Sequence, residues 1–411
     1  MRILILSQYY KPEPIPKPVE LAHYLKQRGH KVSVLCGFPN YPEGKLYPGF
    51  HLNLVKREKL DGISVTRTYE YPYHGRRVIG RLLNYASFMI SAPLGSFFIP
   101  AYDVMYVWHP PLTIGVAAWI IARLRRIPFV YDVQDIWPES AVLSGVLEEG
   151  WMVRMMHKLE RFVYRKANHI LVVTEGARNN LIAKGVNPKK VSVMPHWVDE
   201  NVFLESGEGA RRNIRQALGW RGRFVVLFAG NLGMVQGLDT VILATRELAG
   251  EDEFLVVLIG DGADKVRLKK LAASFDLRDN LQFFERQPAE KMPGFMAASD
   301  ALLVHLKQSE FSHYVVPTKT LSYLAAGRPI LLAMDGAAAQ LVREAGAGIV
   351  IPPEEPAELA RAIRHLGTMS PTERAEMGQR GRNYVTSNLS IRKVIPQYEA
   401  VLKRVVRRRG T

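Results

Sequence analysis

Short apolar runs alternate with amphipathic stretches along most of the chain. Residues 2–7, Arg-Ile-Leu-Ile-Leu-Ser, read as a strand. Residues 19–28 are amphipathic, with Gly29 as a natural helix stop, and 31–36 read as the next strand. The alternation returns with strands at 103–108, 129–132 and 169–174 and helices at 113–123 and 152–166. The segment Pro195-His196-Trp197-Val198-Asp199 breaks the pattern, which then restarts. Strands are predicted at 224–229, 254–259, 280–284, 301–305 and 329–333, and helices at 238–248, 266–275, 289–298 and 318–326. Strands that alternate with helices predict a parallel sheet covered on both faces. The predicted fold class is α/β, with two doubly wound domains. Ligands are expected at the C-terminal ends of the strands, in an interdomain cleft. A last amphipathic, basic helix at 391–408 is expected to return to the first domain. The expected boundaries are 1–198 plus 391–411 for one domain and 199–390 for the other.

Composition adds limits. Apolar residues make up 47% of the chain and charged residues 23%, enough for more than one ordinary core. The single cysteine, Cys36, ends an apolar run and reads as a packed strand residue. A disulfide framework is thereby excluded, and a reducing, cytoplasmic compartment is expected. No secretory signal pattern opens the sequence. The longest apolar stretch, 88–101, is interrupted by Pro93 and Gly95 and is too short to span a bilayer.

The net charge of +16 is unevenly placed. Residues 1–198 carry a surplus of +12 and 391–411 a surplus of +6, whereas 199–390 sum to −2. Such a field attracts phosphates, anionic lipid or nucleic acid. No nucleic-acid recognition motif accompanies it, which excludes that class of partner. Arg76, Arg77 and Arg81 precede the apolar stretch 88–101, and Arg123, Arg125 and Arg126 end the next helix. Apolar segments flanked by cations predict peripheral contact with an anionic inner-leaflet surface. The plainer alternative is a core helix beside a solvated basic face.

Several motifs follow one another in a specific order. They are Tyr9-Tyr10-Lys11-Pro12-Glu13-Pro14, Arg28-Gly29-His30-Lys31-Val32 and Gly37-Phe38-Pro39-Asn40-Tyr41-Pro42. Asp135-Ile136-Trp137-Pro138-Glu139 comes next, then Gly230-Asn231-Leu232-Gly233 with Gln236-Gly237. Pro317-Thr318-Lys319 follows, ahead of Tyr323-Leu324-Ala325-Ala326-Gly327-Arg328-Pro329. In this order the sequence resembles the GT4 retaining glycosyltransferases, and within them the O-antigen and capsule branch with its N-acetylfucosamine and colanic-acid transferases. The resemblance covers nearly the whole chain. It implies the GT-B fold of two Rossmann-like domains, a UDP-sugar donor and a polyprenyl-diphosphate-linked or other cell-surface glycan acceptor. It also implies chemistry without a metal. No Asp-x-Asp or Cys pair is present, and no cofactor is expected, the nucleotide sugar being a substrate.

A diphosphate leaving group needs backbone N–H groups at a glycine turn, plus a cation. Gly230-Asn231 suits the first requirement. The family commonly has cations where Asn231 and Gln236 stand, so the missing charge is assigned first to Lys319, at a helix start, and second to Lys265. Asp261 and Gly262 in a Gly-Asp-Gly turn are expected near the base and ribose, bordered by Arg286 and Gln287. The family's paired glutamates align with Tyr314 and Ser322, neither of which is glutamate. Glu310 is then the nearby carboxylate for catalysis, and Ser322 can bond a ribose hydroxyl. In the first domain the resemblance assigns His109 and Asp135 to the transferred sugar. Trp137 and Glu139 are assigned to the acceptor. Pro16 stands where the family commonly has glycine, and Lys17 beside it is a compensating cation. Two other readings keep the fold: a nucleotide-sugar 2-epimerase, and a donor-binding partner that has lost catalysis with its glutamate pair.

Overall fold

The computed structural model describes residues 1–75, 77–143, 147–203 and 208–408. Arg76, expected among the lipid-facing cations, and the last three residues lie outside them. The chain forms two compact units, Met1–Met194 with Ile395–Thr411, and Pro195–Val394. The crossings fall a few residues from the expected 198 and 390. The physical reason is a bridge between Val198 and Ser390, which keeps both strand-like ends in the second unit.

In the first unit, β1 (Arg2–Ser7), β2 (Lys31–Gly37), β3 (Val55–Leu60), β4 (Ile63–Thr68), β5 (Val104–His109), β6 (Phe129–Val133), β7 (His169–Val172) and β8 (Val191–Val193) make one sheet, ordered β3-β4-β2-β1-β5-β6-β7-β8. Its helices are α1 (Pro16–Gln27), α2 (Val78–Gly95), α3 (Ile114–Arg125), α4 (Glu139–Leu143), α5 (Trp151–Lys166) and α6 (Glu175–Ala183). All pairings are parallel except β3 with β4. That hairpin escapes the pattern of the sequence because β3, Val-Lys-Arg-Glu-Lys-Leu, carries four charges. Charged residues suit an edge strand, since they discourage further pairing. Its turn is Asp61-Gly62, both at positive φ, the geometry that two-residue hairpin loops require.

In the second unit, α7 (Glu208–Ala217) precedes β9 (Phe224–Asn231), α8 (Leu238–Glu247), β10 (Phe254–Asp261), α9 (Lys265–Ser274), β11 (Leu281–Phe284), α10 (Met292–Ala298) and β12 (Ala301–His305). The unit continues with α11 (Thr318–Ala326), β13 (Ile330–Ala333), α12 (Ala337–Ala345), β14 (Gly348–Ile351), α13 (Pro356–Thr368) and α14 (Pro371–Tyr384). The fully parallel sheet has the order β11-β10-β9-β12-β13-β14. Alternate residues of β9 feed opposite cores: Val225 and Leu227 pack on one face, Val226 and Phe228 on the other. This two-sided burial makes the strands read as continuous apolar runs.

The last helix, α15 (Ile391–Arg407), rejoins the first unit from Ile395 onward. Its Tyr398 packs 6.2 Å from the Tyr106 ring on β5. Its Glu399, only 5% exposed, accepts hydrogen bonds from Arg28 and, at 2.9 Å, from His30, with Lys403 at 2.5 Å. The Arg28-Gly29-His30 motif is therefore the dock for the C-terminal helix. Against burial, which pushes it up, the hydrogen bonds from Lys403, His30 and Arg28 and the Arg28 charge hold the Glu399 carboxyl down at about 2.

Candidate active site

In the second unit the glycine turns after β9 and β10 lock together. The strands run in register to their ends, with Gly230 opposite Gly260 and Asn231 opposite Asp261. A Cβ at Gly260 would lie 1.9 Å from the Gly230 carbonyl oxygen, so only glycine permits this approach. Leu232 N–H donates to the Asp261 carbonyl at 2.8 Å, and Asp264 N–H to the Leu232 carbonyl at 3.0 Å.

Lys319, in the first turn of α11, reaches this turn. Its Nζ donates to Gln236 Oε1 at 3.0 Å, sits 3.7 Å from the Phe228 ring centroid, and lies against Gly230. Desolvation pushes the Lys319 ammonium down to about 7. Gln236 is thus the partner of the cation rather than a vacancy left by one. Ser322 lies one turn further along the same helix face.

The structure separates the other predicted residues from this group. Lys265 is committed elsewhere: it pairs with Glu285 and lies 3.6 Å from Asp261 Oδ1, and Glu285 raises its pKa. Its charge is thereby largely neutralised, which leaves Lys319 as the cation at the turn. Arg286 is exposed just beyond β11, and Gln287 donates to the Glu285 carbonyl. Glu310 lies exposed on the turn Glu310–His313, with no hydrogen bond or ion pair to the Lys319 group among the described residues.

In the first unit, His109 ends β5 and is buried, its Nδ1 unpartnered among the described residues. Burial pushes it down to about 3, so the ring is neutral at any ordinary pH. His109 pairs in register with Val133 of β6, and Asp135 follows two residues later. Burial raises the Asp135 carboxyl to about 6. Burial likewise pushes Asp132 of β6 up to about 7, against the hydrogen bond it accepts from the Tyr106 hydroxyl. Pro16 is the first residue of α1, where a missing N–H costs nothing. Lys17 follows, lowered to about 8 by burial against the opposing pull of Glu20 and Asp132. Trp137 is half-buried.

Glu139, assigned to the acceptor, has one oxygen held by an ion pair, while its Oε2 is buried with no partner among the described residues. The paired oxygen is 2.5 Å from Lys184 Nζ, which also meets Glu160 at 2.6 Å. Glu139, His157 and Glu160 bring their ligand atoms within 4.8 Å of one another, the spacing of a cation site. Lys184 already supplies the cation there, so the cluster is explained by its own ion pairs.

Two family models match the chain, "Glycosyl transferase 4-like domain" over residues 18–197 and "Glycosyl transferases group 1" over 210–384. The second lies within the second unit, and the first covers the first unit from residue 18 and runs three residues beyond Met194. The chain belongs to the group 1, GT4-like glycosyltransferases.

Its relatives include the "Putative colanic acid biosynthesis glycosyl transferase WcaI" of Escherichia coli K12, 28% identical over 80% of this chain and 82% of that one. The "Probable glycosyltransferase WbjE" of Pseudomonas aeruginosa is 33% identical over 58% of this chain and 59% of its own. Among solved structures, Anabaena Alr3699/HepE in complex with UDP superposes with a TM-score of 0.73 at 18% identity, over 98% of this chain and all of that one. The GT-B fold of two Rossmann-like domains is thereby shown.

For this glycosyltransferase, sequence reasoning missed three supports of the glycine turn after β9. Phe228 provides the ring under Lys319. The Tyr323 hydroxyl accepts from Ala229 N–H at 2.9 Å and so holds the end of β9. His305, fully buried at the end of β12, shares a 2.6 Å hydrogen bond with the Gln236 carbonyl. A histidine closing an apolar strand was the available signal for His305; Phe228 and Tyr323 look like ordinary core residues.

Proposed function

We propose that this glycosyltransferase transfers a sugar from a UDP-sugar to a polyprenyl-diphosphate-linked or other cell-surface glycan acceptor, with retention, at an anionic membrane surface. The observation that carries the reading is Lys319, desolvated on Phe228 and held by Gln236 against the glycine turn. In the donor unit, Pro195–Val394, the bond from sugar C1 to the diphosphate oxygen breaks. The leaving group takes up negative charge, which Lys319, the N-terminus of α11 and the backbone of the turn stabilise. The acceptor oxygen bonds to C1, and its proton passes to the departing diphosphate. In the first unit, neutral His109 and the Asp135 carboxylate hydrogen-bond sugar hydroxyls. HepE, solved with UDP and with UDP-glucose, supports the choice of donor class.

The test is transfer by the purified protein from a panel of UDP-sugars to lipid-linked acceptors in membrane extract, with the product anomer read by NMR. A retained anomer is expected; product inversion, or epimerised donor without transfer, overturns the reading. Excess EDTA is expected to change the rate less than about twofold, because Lys319 does the work a metal would otherwise do. A rate abolished by EDTA and restored by a divalent cation would refute that part.

The membrane surface rests on α2. No helix among the described residues is long and apolar enough to cross a bilayer. Yet α2 turns Ile79, Leu82, Leu83, Ile90 and Leu94 to solvent, followed by Phe97 and Phe98, with Ile79 74% exposed. Only the opposite side, with Asn84, Phe88 and Ala92, is buried, which supports a surface role over a buried core helix. Arg77 and Arg81 flank the apolar face, which suits anionic lipid at a depth of about 5–10 Å. Ile79→Ser with Leu83→Ser is expected to release the protein from liposomes containing phosphatidylglycerol in a flotation assay. Equal flotation of the variant and the unaltered protein would refute the surface.

A further inference from the structure

One side-chain cluster in the first unit remains unused. Beyond the C-terminal ends of β1, β2 and β4, the chain places Tyr9, Tyr41 and His74 in mutual contact. Ring centroids are 5.1 Å apart for Tyr9 and Tyr41, 5.8 Å for Tyr9 and His74, and 5.2 Å for Tyr41 and His74. Tyr85, on the inner side of α2, hydrogen-bonds Tyr9.

The loops carrying these rings are fixed from below. Glu70 Oε1 accepts from Gln8 at 2.8 Å, Asn40 at 3.0 Å and Asn84 at 2.7 Å, joining the ends of β1, β2 and β4 to α2. Glu13 accepts backbone N–H groups from Tyr10, Asn40 and Tyr41, each at 2.9 Å. An aromatic cluster mounted on such a frame is preorganised.

His74 Nε2 is buried and without a hydrogen-bond partner among the described residues. Leaving such a group unmet costs about 1–3 kcal/mol. A packing role would be served as well by phenylalanine. Burial, with the Arg81 charge nearby, holds the His74 ring neutral, so it can donate or accept one hydrogen bond. Arg81 contacts the Gly75 carbonyl at 3.0 Å, which keeps its guanidinium beside this loop. Outward from Arg81, α2 presents its exposed apolar face.

Aromatic rings bind the apolar faces of sugars, an unpaired imidazole nitrogen binds a hydroxyl, and arginine binds phosphate. We propose that Tyr41 and His74, backed by the buried Tyr9 ring, form the site for the sugar headgroup of a glycolipid acceptor, with Arg81 on its phosphate and the lipid chain along α2. This deepens the transfer reading and rests on it. The ligand class is a monosaccharide joined through diphosphate to a prenyl chain.

The test is calorimetric binding, without donor, of farnesyl-diphosphate-linked glucose, galactose, N-acetylglucosamine and N-acetylgalactosamine to the full chain. Farnesyl diphosphate alone and UDP serve as controls. At least one glycolipid is expected to bind more tightly than farnesyl diphosphate. His74→Phe and Tyr41→Leu are each expected to weaken that ligand by about tenfold or more and to leave UDP affinity unchanged. His74→Phe is also expected to melt at the same temperature or higher, because it removes a polar atom with no partner. Variants that bind the glycolipid normally overturn the site, as does a protein that prefers none of the four sugars over the bare lipid. Failure of the unaltered protein to bind UDP would instead count against the transfer reading itself.

Discussion

Lys319→Ala is expected to lower turnover by about 10²–10³, the loss seen when one preorganised donor is removed from a developing anion. UDP affinity should fall with it, since the same ammonium meets the ground-state diphosphate. The pH dependence gives a sharper signature. With the lysine lowered to about 7 in the free protein, bound diphosphate pulls its pKa back up, so binding takes up a proton. UDP affinity should therefore drop by about tenfold per pH unit above pH 7. The terminal phosphate of UDP has already lost its proton in that range. Lys319→Ala should lack the slope. Isothermal titration between pH 6 and 9 reads both quantities, and a pH-independent affinity in the unaltered protein would remove Lys319 from the diphosphate. Folding runs the other way. The unfolded chain holds this proton above pH 7 and the folded one does not, so this lysine makes stability rise with pH from about 7 to 10.

Glu399→Ala carries the second large effect. A carboxylate that is 5% exposed and faces Arg28, His30 and Lys403 is removed from a cationic dock. The remaining cations repel one another and two half-buried donors lose their acceptor, at a cost of about 2–4 kcal/mol. Chemical denaturation should show this loss in the first unit, with Glu399→Gln intermediate. Because the folded pKa is depressed to about 2, this stabilisation is present above the ordinary carboxylate range and is lost as pH falls from about 4.5 toward 2. A variant that unfolds at the same denaturant concentration as the unaltered protein would contradict the dock.

The strands of the second unit were legible because both their faces are buried. Continuous apolar runs such as Val225–Phe228 and Leu255–Ile259 leave few alternatives. The charged β3 was illegible for the opposite reason: its identity depends on pairing with β4 across the Asp61-Gly62 turn. Lys319 could be picked out as a cation at a helix start next to a glycine turn. Its Phe228 platform could not, because a ring beneath a lysine looks the same in sequence as a ring in a core. The ion pair from Glu139 Oε1 to Lys184 was illegible because Lys184 lies far along the chain. The Arg28-Gly29-His30 motif was visible, whereas its purpose lies 369 residues away, where His30 meets Glu399.

The discontinuous first unit also sets an order of events during synthesis. Pro195–Val394 is an uninterrupted segment and contains everything its own sheet needs. The first unit emerges earlier from the ribosome but lacks Tyr398 and Glu399 until the whole second unit has been made. At about 5–20 residues per second, that interval lasts about 10–40 s. The first unit, made first, is therefore completed only after the second, and synthesis that stops between Val394 and Tyr398 yields a finished second unit with the first one undocked.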